Sequence, residues 1–215
     1  MNEREIIARR IAKEFKDGAV VNLGFGIPNL SADYIPEGVN VILQAENGAL
    51  LFGAKPKIGK SDPDIANSGG EPITMLAGAS AFDLALSFAI IRGGHVDATV
   101  LGALEVDENG NIANWKIPGK LIPGMGGGMD LLVGAKRVIV AMTHTDKKGN
   151  PKILKNCTLP LSAAGVVNLI ITEKAVIEVT KEGLVLKEIA SGVSVEEVIN
   201  STEAKLIIPG KIDIM

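Results

Sequence analysis

The sequence predicts a single α/β domain over residues 1–215, built on a mixed, largely parallel sheet that is covered by helices. A length of 215 residues suits one domain of this kind. Hydrophobic residues make up 47% of the chain and aromatic residues only 3%, so the core has to consist of aliphatic side chains packed around sheets. Short apolar runs alternate with helical spacings, some runs are joined by hairpin signals, and neither a linker nor an internal repeat divides the chain.

The amino-terminal half alternates between helical and extended patterns. Ile7, Ile11 and Phe15 recur at four-residue spacing, which predicts an amphipathic helix over residues 3–17. The other elements expected in this half are a strand at 19–23, a short helix at 29–35, a strand at 39–45, a long connection at 49–72, a strand at 73–76, and a helix that opens on a capping box of Ser80 and Asp83 and ends before Gly93.

The carboxyl-terminal half is richer in extended patterns. The sequence Asp-Glu-Asn-Gly at 107–110 is a hairpin signature, so the apolar runs 96–101 and 112–115 that flank it are expected to pair. The remaining elements expected here are strands at 137–142, 166–171, 175–179 and 184–189, followed by a helix capped by Ser194 and Glu197.

Charge and composition argue against several classes of function. The net charge is −3 and no block of Lys or Arg is present, whereas a nucleic-acid partner needs a concentrated cationic surface. The sequence contains no run of about eighteen apolar residues, so no membrane span is predicted. The charged start, residues 1–5, and the single cysteine, Cys157, predict a cytoplasmic protein. His95 and His144 are far apart and show no metal-ligand spacing, so no metal site is expected.

One acidic residue follows a buried strand directly. Glu46 opens the sequence Glu-Asn-Gly, and Asn-Gly is a strong turn signal. A carboxylate at the end of a strand can be shielded from water and aimed at a substrate, whereas an ordinary turn acid only hydrogen-bonds its neighbours. On the residues alone, the structural interpretation of Glu46 is favoured.

A first glycine-rich turn has two interpretations: a strand-to-helix turn that needs close backbone approach, which is favoured, and a dinucleotide site. Gly24 and Gly26 partly match the dinucleotide fingerprint, and Glu46 lies about twenty residues further on, where that motif has its ribose-binding acid. This alternative describes a nicotinamide-dependent oxidoreductase. It is weakened because Asn29 replaces the third glycine and Pro28 leaves fewer N–H groups for a pyrophosphate.

A second glycine-rich turn contains four glycines within five positions, namely Gly124, Gly126, Gly127 and Gly128. Glycines let the backbone approach a ligand where any Cβ would collide. Successive N–H groups in such a turn can bind an anion or a developing oxyanion, which favours a functional loop over a linker without a ligand.

Several strings along the chain resemble the family I coenzyme A transferases. The string Gln-Ala-Glu-Asn-Gly at 44–48 is similar to the glutamate motif of that family, whose usual form is Ser-Glu-Asn-Gly. The other similar strings are VNLGFGIP at 21–28, IRGGHVD at 91–97, ANWKIPGK at 113–120, GMGGGMD at 124–130, NCTLPL at 156–161 and ITEKAV at 171–176. The resemblance is strongest to the B subunits of acetate/butyrate–acetoacetate CoA-transferases and to the C-terminal half of succinyl-CoA:3-oxoacid CoA-transferase.

This resemblance implies a role for particular residues. It makes Glu46 the catalytic glutamate, Asn22 an asparagine that lines the active site, Gly127 and Gly128 the backbone beside the reacting carbonyl, and Gly24, Gly26, Gly124 and Gly126 candidates for loops that bind coenzyme A. The sequence departs from the family pattern twice, with Ala45 in place of a serine and Gly128 in place of an alanine. Neither departure removes a reacting group.

The resemblance also implies the chemistry and the partner. Coenzyme A would be the substrate and part of a glutamyl-CoA thioester in a ping-pong exchange between acyl-CoA and acetoacetate, acetate, butyrate or succinate, with no metal and no permanently bound cofactor. The partner would be a separate A subunit in an A2B2 heterotetramer, and the fold would resemble that of sugar-phosphate isomerases. An isomerase or ligand-sensing domain and a non-enzymatic scaffold are further hypotheses for the function.

Overall fold

The computed structural model describes residues 2–119 and 125–215. Its α-helices are α1 (Glu3–Ala12), α2 (Ile27–Leu30), α3 (Leu84–Arg92), α4 (Gly128–Gly134) and α5 (Val195–Asn200), and a 3-10 turn covers Ser31–Tyr34. Its strands are β1 (Val20–Leu23), β2 (Ile42–Ala45), β3 (Ala49–Gly53), β4 (Thr74–Ala81), β5 (Ala98–Leu101), β6 (Glu105–Asp107), β7 (Ile112–Ala113), β8 (Val138–Ala141), β9 (Ile153–Leu154), β10 (Leu169–Ile171), β11 (Ala175–Thr180), β12 (Gly183–Ile189), β13 (Leu206–Ile207) and β14 (Asp213–Ile214).

The main sheet has a parallel centre, antiparallel pairs on both sides of it, and further parallel pairs where β13 and β14 meet β12. Within the described ranges it contains eleven strands in the order β13-β12-β11-β10-β8-β5-β1-β2-β3-β4, with β14 also paired to β12. The five central strands β10, β8, β5, β1 and β2 are parallel to one another. The pairs that bound this centre are antiparallel. The predicted mixed, largely parallel sheet is confirmed.

Layers on both faces explain why the central strands are continuous apolar runs. All four residues of β8 are buried, as expected for a parallel strand covered on both sides. Ile7 and Ile11 of α1 are fully buried against one face of the sheet. The other face is covered by α3 and α4 and by the cluster that includes Val106 and Ile112 of the small sheet.

The hairpin expected around 107–110 forms, but its first strand is β6 and not the predicted run at 96–101. Strand β6 pairs with β7, and both belong to a small sheet in the order β7-β6-β9. The Asp107 carboxylate closes the turn by accepting from the N–H groups of Asn109 and Asn111. The run at 96–101 instead supplies β5, which lies between β1 and β8 in the main sheet. Three of its four residues are buried, and a buried apolar strand is stabilised more in a covered sheet than in a hairpin.

Two other local predictions also need correction. The cap of α3 is Asp83, whose carboxylate accepts from the N–H of Leu86 at 2.8 Å, whereas Ser80 lies within β4. The connection predicted at 49–72 begins with strand β3, which pairs with both β2 and β4. The cap predicted at Ser194 is confirmed, because its hydroxyl accepts from the N–H of Glu197 at 3.1 Å.

Candidate active site

Glu46 lies in a tight turn at the carboxyl end of β2, the edge at which open α/β sheets bind their ligands. Gly48 closes this turn with a φ of +118°, and a Cβ on it would lie 2.0 Å from the carbonyl oxygen of Phe82. The Phe82 N–H donates to the Gly48 carbonyl at 2.9 Å. Position 48 therefore requires glycine, and the Glu46 turn is held against the residues that precede α3.

The carboxylate of Glu46 meets the backbone of the glycine-rich turn. Its side chain is partly buried, and its Oε1 accepts from the N–H of Gly127 at 3.2 Å. A Cβ at position 127 would lie 2.7 Å from Oε2 of Glu46 and 2.9 Å from Cζ of Phe88. Only glycine allows the amide to come this close to the acid. An N–H in this place can also stabilise negative charge on the same oxygen when the Glu46 carbonyl carbon is attacked.

The glycines on either side of Gly127 differ in whether a side chain would fit there. Gly126 has a φ of +53°, and a Cβ on it would lie 3.2 Å from Oε1 of Glu46. Gly128 begins α4, and its N–H donates to the carbonyl of Met125 at 3.1 Å. No atom of the described part of the chain lies within 4 Å of the position of its missing Cβ. An alanine would therefore fit at position 128, which makes this departure from the family pattern sterically neutral. Gly124 lies outside the described residues.

Asn22 lies on β1 and hydrogen-bonds Gln44, whereas the carboxylate of Glu46 accepts from Gly127. It is 2% exposed, and its amide donates to Oε1 of Gln44 at 2.6 Å and to the Gln44 carbonyl at 3.1 Å. Asn22 and Gln44 are direct neighbours on the parallel strands β1 and β2, and Glu46 follows Gln44 by two residues. The donor capacity of the Asn22 amide is thus used within the protein.

The turn at Gly24 and Gly26 is explained by packing. A Cβ at position 24 would lie 2.9 Å from Cδ2 of Leu101, and Gly26 has a φ of +87°. The helix that follows, α2, has only four residues and contains Pro28, so few N–H groups are free for a pyrophosphate. The Glu46 carboxylate faces Gly127, and its hydrogen bond does not go to this turn. The geometry gives no support to the dinucleotide alternative.

The residues outside this site have structural surroundings. His144 is fully buried between the hydroxyls of Thr172 and Thr202, at 2.9 and 2.8 Å from its two ring nitrogens. Burial raises the pKa of Cys157 to about 12, which suits a packed thiol and not a nucleophile. No group of three His, Cys, Asp or Glu side chains in residues 2–119 and 125–215 is placed to hold a metal ion. No helix in these ranges is long and apolar enough to cross a membrane.

Three residues next to the site were not identified from the sequence. Phe88 packs beside Gly127, while Gln44 and Ser87 extend the hydrogen bonds of Asn22, with Gln44 Nε2 donating to the Ser87 hydroxyl at 3.1 Å. A signal was available for Gln44, since it is the only amide in the apolar strand that leads to Glu46. Ser87 and Phe88 carry no such signal, because their roles depend on how α3 packs.

Comparison with known proteins matches this arrangement to one family. The sequence profile of the coenzyme A transferases matches residues 4–201. The beta subunit of the acetate CoA-transferase of Haemophilus influenzae is 52% identical over 209 residues, which cover 97% of this chain and 93% of that protein. The B subunit of the succinyl-CoA:3-ketoacid coenzyme A transferase of Helicobacter pylori is 51% identical over 202 residues, which cover 94% of this chain and 97% of that protein.

A solved structure agrees with these relatives. The apoenzyme of an acyl-CoA transferase from Escherichia coli O157:H7 is similar to the whole of this chain, with a TM-score of 0.79 and 26% identity. The chain spans 43% of the length of that protein. Nothing in these matches supports an oxidoreductase. With the fold, the strand-end glutamate and the profile over residues 4–201 in agreement, this chain belongs to the coenzyme A transferase family.

Proposed function

We propose that this chain is the B subunit of a CoA-transferase and that Glu46 carries coenzyme A between an acyl-CoA and a small carboxylic or 3-oxo acid. The observation that carries the proposal is the contact between Oε1 of Glu46 and the N–H of Gly127 at 3.2 Å. It joins a strand-end acid to a backbone donor at a position where any side chain would collide with the carboxylate. A nucleophile and an oxyanion donor are the two groups that acyl transfer requires.

The first half of the reaction transfers CoA to the protein. A carboxylate oxygen of Glu46 attacks the thioester carbonyl of the acyl-CoA, the C–S bond breaks, and a mixed anhydride and CoA thiolate result. The thiolate then attacks the Glu46 carbonyl carbon, and the bond to the acyl carboxylate breaks. The free acid leaves, and Glu46 holds CoA as a thioester. No ATP or metal is required, because one thioester is exchanged for another.

The second half reverses these steps with a different acid. The carboxylate of the acceptor attacks the Glu46 thioester carbonyl and expels CoA thiolate, which then attacks the acceptor side of the new anhydride. The acceptor leaves as its CoA ester and Glu46 becomes a carboxylate again. The Gly127 N–H would stabilise the oxyanion that forms on Glu46 in the two steps in which the Glu46 carbonyl carbon is attacked, and a donor of this kind is typically worth about 3–4 kcal/mol. Gly128 is proposed as a second donor, which requires its N–H to leave the Met125 carbonyl.

Remote binding of coenzyme A helps to activate the carboxylate. A hydrated carboxylate is a poor nucleophile towards a thioester, so part of its hydration has to be removed. Interactions with the long CoA chain, away from the reacting atoms, can offset the cost of this desolvation. Gly24, Gly26, Gly124 and Gly126 remain proposed as parts of the CoA-binding loops, and Asn22 as a residue that supports the site.

The names of the relatives support a two-subunit enzyme. One bacterial relative is named as a beta subunit and the other as a B subunit, and the longer Escherichia coli chain has room for a second domain beside the one matched here. We therefore infer a separate A subunit, with an A2B2 heterotetramer as the proposed assembly. The cytoplasmic location is proposed from the single cysteine, Cys157. Because the relatives are named for acetate and for succinyl-CoA:3-ketoacid transfer, we propose acetate, butyrate, acetoacetate and succinate as the candidate acids.

Detection of the covalent intermediate tests this function. The complex of this chain with its A subunit is incubated with acetoacetyl-CoA and no acceptor acid, and the intact mass of the chain is measured. We expect CoA to be attached, acetoacetate to be released, and borohydride to reduce the thioester to an alcohol at Glu46. An unmodified chain under conditions that support turnover would reject the mechanism, because an isomerase, an oxidoreductase or a scaffold forms no such bond.

A further inference from the structure

We propose that Asn22, Gln44 and Ser87 form a buried positioning relay that holds the Glu46 turn at the distance from Gly127 that CoA transfer needs. The inference rests on the proposed function of Glu46. None of the three residues of the relay needs to touch the substrate. They act through the end of β2 and through α3, so they are positioning residues and not catalytic ones.

The hydrogen bonds of the relay run from one strand through the next to a helix. The Asn22 amide donates to both the side-chain and the main-chain oxygen of Gln44, at 2.6 and 3.1 Å. The Gln44 amide donates in turn to the Ser87 hydroxyl at 3.1 Å. Gln44 is therefore held at its backbone and at both ends of its side-chain amide. Because Glu46 is only two residues further along, the start of its turn has little freedom.

Burial makes the relay rigid. Asn22, Gln44 and Ser87 are 2%, 1% and 0% exposed, so water is not available to replace a lost partner. A buried amide that loses its partner costs free energy, and the protein would have to shift to recover a hydrogen bond. The next residue in this row, Thr99, lies beside Asn22 on β5, and its buried hydroxyl has no hydrogen-bond partner among the residues that the structure describes. The chain of hydrogen bonds thus consists of Asn22, Gln44 and Ser87 and does not include Thr99.

Helix α3 links the relay to the glycine-rich turn. Ser87 binds Gln44 from this helix, and the next residue, Phe88, packs beside Gly127. At the other end of α3, the Arg92 guanidinium pairs with the Asp130 carboxylate of α4 at 2.7 Å. A Cβ at Gly134 of α4 would lie 2.4 Å from the Ile91 carbonyl oxygen, so the two helices are in close backbone contact. One helix therefore contacts both sides of the site.

The functional consequence follows from this geometry. The nucleophile and its oxyanion donor belong to different elements, and their separation depends on how β2 and α4 are fixed to α3. A displacement of about 1 Å in an active site can lower a rate by about a hundredfold. Loss of the Gln44–Ser87 bond should therefore slow the chemical step while leaving the reacting groups present.

The rate of formation of the CoA adduct on this chain tests the relay. The wild-type complex and its Ser87→Ala and Gln44→Met variants are mixed with acetoacetyl-CoA, quenched at successive times and analysed by intact mass. We expect the rate constant to fall about tenfold in Ser87→Ala and about a hundredfold in Gln44→Met. The double variant should be no slower than Gln44→Met alone, because residues that act as one unit are not additive. The final fraction of labelled chain should stay at the wild-type level.

A matched control separates positioning from general stability. Ser31→Ala removes a hydroxyl that is also fully buried and donates to one carbonyl, that of Pro28, outside the relay. It should form the adduct at the wild-type rate. Wild-type rates in both relay variants would overturn the proposal, and so would a lower labelled fraction at an unchanged rate constant, which indicates misfolding only. An unlabelled wild-type chain would instead refute the function of Glu46 on which the relay rests.

Discussion

The N–H of Gly127 donates to Oε1 of Glu46 at 3.2 Å, although 81 positions separate the two residues in the chain. The contact exists because β2 ends at the same edge of the sheet at which α4 begins, and because position 127 has no side chain. It places a hydrogen-bond donor on the oxygen that becomes negative when the Glu46 carbonyl is attacked. The separation of these two groups should therefore control the rate of CoA transfer.

Replacement of Glu46 should abolish CoA transfer without unfolding the protein. Glu46→Gln removes the nucleophile, and Glu46→Asp withdraws it from the Gly127 amide by one methylene group. We expect turnover to fall about a thousandfold or more in both variants, as for the loss of other nucleophiles. The side chain is only partly buried, so the melting temperature should change little. Near-normal turnover in either variant would contradict the assignment.

A methyl group at position 127 should be far more harmful than one at position 128. In Gly127→Ala the new Cβ would lie 2.7 Å from Oε2 of Glu46, so the acid has to move away from the donor. We expect turnover to fall about a hundredfold, in line with the loss of an oxyanion donor. Gly128→Ala adds the same methyl group where no described atom lies within 4 Å. Its turnover should therefore stay at least about tenfold higher than that of Gly127→Ala. Equal losses would show that the close approach to Glu46 is not what matters.

The isolated chain should be inactive until it binds an A subunit. Leu76 of β4 and Leu84 and Leu86 of α3 are 48%, 58% and 50% exposed. Exposed large apolar side chains on two consecutive elements are typical of a surface that a partner covers. Titration of this chain with an A subunit should restore turnover up to a fixed stoichiometry, measured alongside the mass of the complex. Full activity of the chain alone would contradict the two-subunit proposal.

The stability of the protein should fall in mild acid because of His144. Burial, together with the positive charge of Lys174, lowers its pKa from 6.5 to about 4. Below pH 6.5 the unfolded chain takes up a proton that the folded chain does not, so the free energy of unfolding decreases as the pH falls towards 4. The full loss is about 3 kcal/mol, because a tenfold difference in proton affinity is worth about 1.4 kcal/mol.

Urea unfolding of wild type and His144→Gln at a series of pH values measures this loss. The variant lacks the ring, so the difference between the two proteins should shrink as the pH is lowered through this range. Burial raises the pKa of Glu173, which acts in the opposite sense in both proteins, so the difference isolates the histidine. A difference that does not depend on pH would mean that the pKa of His144 is the same in the folded and unfolded chains.

Removal of the Thr99 hydroxyl should not destabilise the protein. Its oxygen is buried and has no hydrogen-bond partner within residues 2–119 and 125–215, and valine has nearly the same shape as threonine. We expect Thr99→Val to leave the free energy of unfolding unchanged or to raise it by about 1 kcal/mol. Thr172→Val is the matched comparison, because that hydroxyl binds the N–H of Ala175 at 3.0 Å and the ring of His144 at 2.9 Å. It should be destabilising, and the reverse order in denaturant unfolding would contradict the hydrogen-bond assignment.

The sequence by itself determined the class of fold, the parallel apolar strands and the position of Glu46 at the end of one of them. These features depend on short-range order: an apolar run predicts a buried strand, and Asn-Gly predicts the turn that ends it. The same reasoning identified the glycine-rich turn at 124–128 as backbone that can approach a ligand closely. It could not identify the carboxylate of Glu46 as the group approached.

Only the tertiary structure decided which distant residues meet. The pairing of Gly127 with Glu46, the link from Asn22 through Gln44 to Ser87, and the place of β5 in the main sheet depend on how separate elements pack. The local pattern of β5 satisfies a hairpin as well as a central parallel strand, and burial against both layers selects the second. Gln44 and Ser87 lie 43 positions apart, and their hydrogen bond forms because the packing of α3 on the sheet buries both groups next to each other.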